Sequence, residues 1–120
     1  MARKLSRIEA ENKGRRAEKI AAWWLRLHGW QILTMRAKTP KGEVDIIARR
    51  GKSVIFVEVK ARDNEQALGT AIGEYQLKRV AAAAQFLIPK YAKNAENIQI
   101  DVIWVAPWRL PHHIKNIWHY

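Results

Sequence analysis

Three carboxylates and a lysine lie in two short runs of the sequence that read as neighbouring β-strands. Glu43 and Asp45 belong to the first run, and Glu58 and Lys60 to the second. Because strand side chains alternate, the two members of each pair share a face. Acidic oxygens beside an ammonium group can hold a divalent cation and act on a phosphate. The spacing therefore indicates a possible metal site.

A tight turn between the two runs would bring these side chains together. Residues 51–52 are Gly-Lys, which suits a two-residue type II′ turn. This turn pairs Asp45 with Glu58 and Glu43 with Lys60, with opposing Cβ atoms about 5 Å apart. Two carboxylates at that separation repel each other unless a cation or a proton lies between them.

A solvated hairpin face is the alternative interpretation of the same pattern. The apolar residues Ile47, Val54 and Phe56 fall on the same face as the acids, and they indicate that this face is buried. We therefore favour a metal-type cluster over a solvated face.

The chain carries 22 basic and 11 acidic residues, for a net charge of +11. This excess attracts polyanions such as DNA, RNA or an anionic membrane surface, although it also serves solubility. A nucleic-acid partner is the favoured interpretation, because the excess is large for a small domain. Several of the few acids fall in the hairpin rather than being dispersed, which resembles a metal site within a phosphate-binding surface.

Length and composition limit the number of domains, the kinds of cross-link and metal site, and the expected compartment. A length of 120 residues predicts one domain, and the absence of cysteine excludes disulfides and cysteine zinc sites. Residues 1–13 lack the apolar core of a signal peptide, and no apolar run reaches the roughly 18 residues of a membrane span. We expect a cytoplasmic protein without a membrane partner.

The periodicity predicts a basic arm over 1–12 and a single domain over 13–120 with the order helix, three strands, helix, two strands. Asn12 is expected to cap the first helix, and Pro89 to end the second. The crossover through the second helix is long enough to join parallel strands. The predicted helices are 13–28 and 70–88, the strands are 30–36, 43–49, 53–61, 98–105 and 114–120, and a loop with Gly69 spans 62–70. The buried stripe of the first helix is predicted to contain Ala17, Ile20, Ala21, Trp24 and Leu27 or His28.

Polar residues on the two helices are weaker candidates. Glu18 flanks the apolar stripe of the first helix, and Gln76 and Arg79 flank that of the second. Each is compatible with an ordinary surface position. If the helices pack over the hairpin, Glu18 can reach the acidic cluster, and the other two can meet phosphate or water.

Histidines and tryptophans give little functional signal in the sequence. The histidines lack metal-ligand spacing and are interpreted as surface residues, including His112, His113 and His119. Trp24 and Trp104 fit core positions. Partly exposed tryptophans can stack on bases or pack in an interface, with core or interface favoured; these are Trp23, Trp108 and Trp118.

Several motifs in order resemble a known family. Asp45 followed by Glu58-Val59-Lys60 resembles the PD-(D/E)XK nuclease signature. A wider set of motifs resembles the bacterial YraN-like family, which is similar to archaeal Holliday-junction resolvases. These motifs are Gly14-Arg15-Arg16-Ala17-Glu18, Gly42-Glu43-Val44-Asp45-Ile46-Ile47-Ala48 and Phe56-Val57-Glu58-Val59-Lys60-Ala61-Arg62.

The resemblance implies an α/β fold with a restriction-endonuclease-like core. Its elements run α-β-β-β-α-β, with a mixed central sheet flanked by helices, and here a short C-terminal edge strand follows. It also implies Mg²⁺ or Mn²⁺ as cofactor. The implied ligands are Glu18, Asp45, Glu58 and the backbone carbonyl of Val59.

The same resemblance implies a catalytic group of Asp45, Glu58, Lys60 and Gln76, in which Lys60 orients or activates the attacking water. Glu43 is expected next to the metal ligands without binding the ion. Because junction cleavage needs two sites, a homodimer is plausible. DNA-backbone contacts are expected from Arg15, Arg16, Arg62, Lys78 and Arg79.

Two functions remain open on the sequence. The first is a metal-dependent endonuclease that hydrolyses DNA phosphodiester bonds, on branched or structured DNA. The second is a non-catalytic nucleic-acid-binding or scaffold module that retains the fold. The second accounts equally well for the charge, but it does not explain why acids are held together against their repulsion.

Overall fold

A computed structural model of the chain describes residues 2–62 and 73–119. Two helices and five strands make up these parts of the chain. In chain order they are α1 (Ala2–Leu27), β1 (Gln31–Thr39), β2 (Gly42–Arg50), β3 (Ser53–Ala61), α2 (Glu74–Tyr91), β4 (Asn97–Val105) and β5 (His112–His119).

The five strands form one mixed sheet in the order β1-β2-β3-β4-β5. Neighbours are antiparallel except β3 and β4, which are parallel. The chain makes this parallel connection through α2, as predicted, and β5 is an edge strand. The expected α/β fold with a restriction-endonuclease-like core is confirmed.

The helices cover opposite faces of the sheet, and strand alternation explains the division. Ile55 and Val57 of β3 pack with the α1 residue Leu25, whereas Val54 and Phe56 pack with Val80 of α2. The central strand β3 is therefore apolar on both faces, as its continuous apolar run predicts.

The first helix is longer than predicted. It begins at Ala2 rather than at residue 13, so Asn12 lies inside the helix and does not cap it. Alanine, arginine, lysine and leucine dominate the first turns, and all four favour helix. The described side chains of residues 6–12 are exposed, so the predicted arm is a helical extension of α1.

The buried stripe of α1 is also rotated from its predicted position. Ala17 and Ala21 are buried as expected, but Ile20 and Leu27 are exposed, and Ala22 and Leu25 take their place in the core. The stripe consists mostly of alanines, which allow α1 to lie close to the sheet.

The second helix does not end at Pro89. Pro89 lies in its last turn, and the helix continues to Tyr91. One missing N–H so near the end costs a single hydrogen bond, and the next turn still closes from Ala92 N–H to the carbonyl of Ile88 at 2.8 Å. The predicted start at residue 70 and the loop residues 63–70, with Gly69, lie outside the described residues.

Among the described residues, neither α1 nor α2 is long and apolar enough to cross a bilayer.

Candidate functional site

The β2–β3 hairpin positions the two central acids. Its turn has the predicted register, with φ of +61° at Gly51, and the ladder runs from Arg50 opposite Ser53 to Ile46 opposite Val57. It ends one pair short of residues 45 and 58, so the predicted ladder pairs of Asp45 with Glu58 and of Glu43 with Lys60 do not form. The strands separate at the point where the polar residues begin.

Asp45 bridges this separation with its side chain. Its Oδ2 accepts a hydrogen bond from the backbone N–H of Val59 at 2.7 Å. A carboxylate thus takes the place that a backbone carbonyl would occupy in a continued ladder. The bond fixes Asp45 beside Glu58, the residue that precedes Val59.

Glu58 is the centre of a small polar network. Its side chain follows Phe56 on the α2 face of the sheet, and the residue is only 8% exposed. Its Oε1 accepts a hydrogen bond from Gln76 Nε2 and lies 3.1 Å from Lys60 Nζ. The structure therefore brings together the four predicted catalytic residues. Asp45 comes from β2, Glu58 and Lys60 come from β3, and Gln76 comes from α2.

Asp45, Glu58 and Gln76 line a cleft of about 220 Å³ between the hairpin and the start of α2. Lys60 contacts Glu58 from outside this lining. Glu43 and Arg79 complete its polar lining, and Gly42 forms part of its wall. Gly42 has φ of +148°, a backbone conformation that strains other residues. A Cβ built on it would lie 3.7 Å from the carbonyl oxygen of Arg79, so α2 passes directly against this glycine.

The carboxylate of Asp45 lies close to the negative charge of Glu58, and the two groups repel each other. Burial and, after it, the negative charge of Glu58 raise the pKa of Asp45 to about 7, against the opposing effects of the Val59 N–H and Lys60. Asp45 is therefore partly protonated at neutral pH. A cation in the cleft would relieve the repulsion that otherwise recruits a proton.

Glu18 lies on α1, and the structure pairs it with an arginine. Its Oε2 accepts a hydrogen bond from Arg36 Nε at 2.7 Å, and this bond raises the pKa of Arg36. Arg36 has φ of +56° within β1, and the strand continues beyond it to Thr39, past its predicted end. Glu18 still contributes to the raised pKa of Asp45, so its charge reaches the cleft.

The donor set of the cleft fits a divalent cation of the magnesium type. Asp45 and Glu58 supply hard carboxylate oxygens, and the ion would remove the repulsion between them. Within residues 2–62 and 73–119, no three His, Cys, Asp or Glu side chains are grouped closely enough to hold a metal by themselves. Such an ion would therefore need further ligands from the backbone or water, which Mg²⁺ usually retains. The roles of Glu18 and the Val59 carbonyl as ligands stay predictions.

Comparison with known proteins identifies the family. The model of a family described as "Uncharacterised protein family UPF0102" matches residues 17–105. The chain belongs to this family. It is the YraN-like group that the sequence motifs resemble.

Curated relatives extend the match over almost the whole chain. A UPF0102 protein of Rhizorhabdus wittichii is 58% identical over 113 residues, covering 94% of this chain and 96% of its own length. UPF0102 proteins of Sphingopyxis alaskensis and Erythrobacter litoralis are 54% and 52% identical over 114 residues, each covering 95% of this chain and 98% of the relative.

The basic residues predicted to contact DNA lie on α1, on α2 and at the end of β3 of the UPF0102 chain rather than together at the cleft. Arg15, Arg16, Lys78 and Arg79 are exposed, and of these Arg79 lines the cleft. Arg62 is half-buried at the end of β3, where its Nη1 donates to the carbonyl of Ala61 at 2.8 Å. Their binding to nucleic acid stays a prediction.

Sequence reasoning missed a buried Asp–His pair between β4 and the edge strand β5. The carboxylate of Asp101 is fully buried, and its Oδ2 lies 2.7 Å from His113 Nε2. Its Oδ1 accepts from Gln99 Nε2 and from the backbone N–H of Asn116, both at 2.8 Å. The interpretation of His113 as a surface residue was wrong. An acid inside the apolar run 100–105 was the available signal, since a buried carboxylate requires partners.

The tryptophans divide between core and surface. Trp104 is buried and Trp24 half-buried, which agrees with their predicted core positions. Trp118 is half-buried, Trp23 is 63% exposed, and Trp108 is fully exposed.

Proposed function

We propose that this protein is a metal-dependent endonuclease that hydrolyses phosphodiester bonds of DNA, with branched or structured DNA as substrate. One observation carries the proposal. Asp45 and Glu58 are held side by side in a cleft with Gln76, and Lys60 contacts Glu58, inside a molecule of net charge +11. An acidic pair surrounded by positive charge suits a cation that must meet an anionic backbone.

Asp45 and Glu58 would hold the cation, either Mg²⁺ or Mn²⁺, together with the Val59 carbonyl. When bound, such an ion neutralises charge on the phosphate and makes a bound water more acidic. The N–H of Val59 fixes the orientation of the Asp45 carboxylate. Gln76 does the same for Glu58 from α2, so each acid is positioned before any ligand arrives.

Lys60 supplies the positive group closest to the acids. Its ammonium is held 3.1 Å from Glu58, and its side chain is 14% exposed. A partly desolvated ammonium stabilises negative charge more strongly than an exposed one. We assign Lys60 to orienting the water and balancing the charge of the phosphate, and Arg79 to contacting the phosphate at the cleft wall.

Exposed cations would bind the DNA backbone through charge, without reading sequence. Arg15, Arg16, Arg62 and Lys78 are assigned to this role. Cleavage of both strands at a junction requires two clefts, so we propose a homodimer as the active form.

A non-catalytic nucleic-acid-binding module is the second candidate, and one observation favours it. The acid of α1, Glu18, is already neutralised by Arg36. Asp45, Glu58 and the exposed Glu43 are then the acids that line the cleft, and among the described residues no three such side chains are grouped closely enough to hold a metal.

Nicking of supercoiled DNA in the presence of Mg²⁺ tests the proposal. Asp45→Asn removes a ligand charge, and Lys60→Ala removes the ammonium, so we expect each to lower the nicking rate at least about 100-fold. Glu96→Gln and Lys52→Ala are matched controls, because these residues form an exposed pair far from the cleft. Both controls should nick at the wild-type rate.

Calorimetric titration with Mg²⁺ and Mn²⁺ separates the two candidates. The endonuclease requires metal binding that Asp45→Asn weakens and Glu96→Gln does not. Absence of binding at millimolar metal, with DNA binding intact, would establish the non-catalytic module. Continued nicking by both cleft variants would remove Asp45 and Lys60 from the mechanism.

A further inference from the structure

A second, larger concavity lies on the α1 side of the sheet. It has a volume of about 630 Å³ and lies between α1 and the carboxyl ends of β3 and β4. We call it the Trp108 groove. The residues that matter here are Arg16 and Ile20 from α1, Ala61 at the end of β3, and Trp108, Arg109 and Leu110 after β4.

The apolar side chains of this groove are unusually exposed. Trp108 is fully exposed, Leu110 is 80% exposed, and Ile20 is 45% exposed. Trp108 also has φ of +61°, a backbone conformation that is strained for a bulky residue. The chain therefore presents an indole ring to solvent at a cost in both hydration and backbone strain.

The charged side chains of the groove are all positive. Lys13, Arg16 and Arg109 contribute to its lining, and no acid belongs to the described lining. A flat aromatic surface next to guanidinium groups is the combination that binds an unpaired nucleotide. The base stacks on the ring, and the phosphate is held by charge.

The Trp108 groove adjoins the acidic cleft through β3. Lys60 belongs to the cleft network, and the next residue, Ala61, lines the groove. Ala61 pairs with Val105 of β4, and the chain reaches Trp108 three residues later. A DNA strand that crosses this end of the sheet passes from the cleft on the α2 face to the groove on the α1 face.

We propose that the Trp108 groove holds an unpaired nucleotide of the DNA strand whose backbone lies in the acidic cleft. The base stacks on Trp108, and Arg16 and Arg109 hold its phosphate. This inference rests on the proposed function, and it specifies the substrate as DNA in which a single-stranded segment adjoins a duplex.

Binding of two DNA probes without metal tests the inference. One is a plain duplex, and the other is the same duplex with a single-stranded tail that carries a fluorescent purine analogue. Both are titrated in EDTA, so no cleavage occurs. The wild-type protein should bind the tailed probe more tightly and quench the analogue. Trp108→Ala should lose the quenching and weaken binding of the tailed probe roughly tenfold, because a base–aromatic stack is removed.

Trp23→Ala is the matched control, since Trp23 is an exposed tryptophan of α1 outside the groove lining. It should leave both affinities unchanged, and Trp108→Ala should leave the plain duplex unchanged. Equal weakening of both probes by Trp108→Ala would overturn the inference. So would a change from dimer to monomer in sedimentation, because a second copy of the chain would then occupy the groove.

These outcomes are distinct from failure of the proposed function. Loss of nicking depends on Asp45 and Lys60 and is measured with Mg²⁺, whereas tail preference is measured without it. Duplex binding without tail preference would refute the groove alone. No binding of either probe would refute the nucleic-acid role as a whole.

Discussion

Asp45 combines a fixed position with a variable charge. The Val59 N–H holds its carboxylate in place, while burial and the nearby charge of Glu58 raise its pKa to about 7. Near neutrality, a proton and the proposed cation would therefore compete for the same oxygens. Metal affinity of the cleft should rise as pH passes upward through 7, since the ligand must be deprotonated.

The raised pKa also predicts how stability depends on pH. Asp45 titrates near 3.8 when unfolded and near 7 when folded, so the folded state binds more protons between these values. Its contribution to the free energy of unfolding is full below pH 4. It falls by at most about 1.4 kcal/mol per pH unit toward pH 7.

Urea unfolding at a series of pH values, without divalent metal, measures this effect. Asp45→Asn lacks the titration, so its stability relative to the wild type should increase steadily from pH 4 to pH 7. Glu96→Gln, at an exposed position, should show no such trend. A constant difference between Asp45→Asn and the wild type would contradict the pKa assignment.

Spacing alone predicted which acids would meet, but not how. The period of two and the Gly51 turn placed Asp45, Glu58 and Lys60 on one face. The bond from Val59 N–H to Asp45 depends on the separation of two strands, which periodicity does not encode. His113 was missed for a related reason, because its partner Asp101 lies on a neighbouring strand.

At the scale of elements, a buried carboxylate links β5 to β4 in addition to their antiparallel ladder. Asp101 contacts His113 and accepts from the N–H of Asn116. The β4–β5 register shifts between Ile100 and Val102, and Asn116 has φ of +56°. The Asp101 carboxylate therefore binds the Asn116 N–H and the His113 ring where the ladder is irregular. These contacts stabilise the packing of β5 on the sheet.

Asp101→Ala should destabilise the fold by about 3 kcal/mol, because it leaves buried donors without an acceptor. Urea unfolding gives the change. Asp101 pairs with Val57 of β3 but does not line the cleft, so the proposed Mg²⁺ binding by the folded fraction should persist. A loss of less than about 0.5 kcal/mol would mean that water replaces the carboxylate and that β5 is held by other contacts.

Strands were predicted more accurately than helix ends. Glycine at residue 51 fixes the β2–β3 turn and hence the bounds of β3, which match the prediction. The start of α1 was missed because residues 2–12 favour helix by propensity, while the side chains of residues 6–12 are exposed and give no apolar stripe. The stripe of α1 shifted because small alanines rather than Ile20 provide close contact with the sheet.

At the scale of the whole molecule, the charge of +11 governs any encounter with DNA. Binding through phosphate contacts releases counterions, so affinity falls as salt rises. Arg15 on α1 and Arg79 on α2 lie on different helices and are both exposed. A duplex that both residues contact must extend across the molecule.

Arg15→Ala and Arg79→Ala should each reduce the slope of log affinity against log salt by about 0.9. Fluorescence anisotropy with a labelled duplex at several salt concentrations measures the slope. Lys52→Ala removes an equal charge near the β2–β3 turn, where it pairs with Glu96, and should leave the slope unchanged. An equal reduction in all three variants would mean that DNA affinity depends on net charge alone and not on particular contact residues.

The two-residue turn at Gly51 has a consequence for the order of folding. Hairpins with short loops close within about 1–10 μs, whereas a parallel crossover such as β3–α2–β4 closes a far longer loop and forms later. We therefore expect Asp45 and Glu58 to be neighbours in the nascent chain while water still surrounds them. The repulsion between their carboxylates becomes costly only when α2 packs against the sheet and places Gln76 beside Glu58. Packing of α2 is thus the folding step whose rate we expect to depend on the pH and cation concentration of the solution.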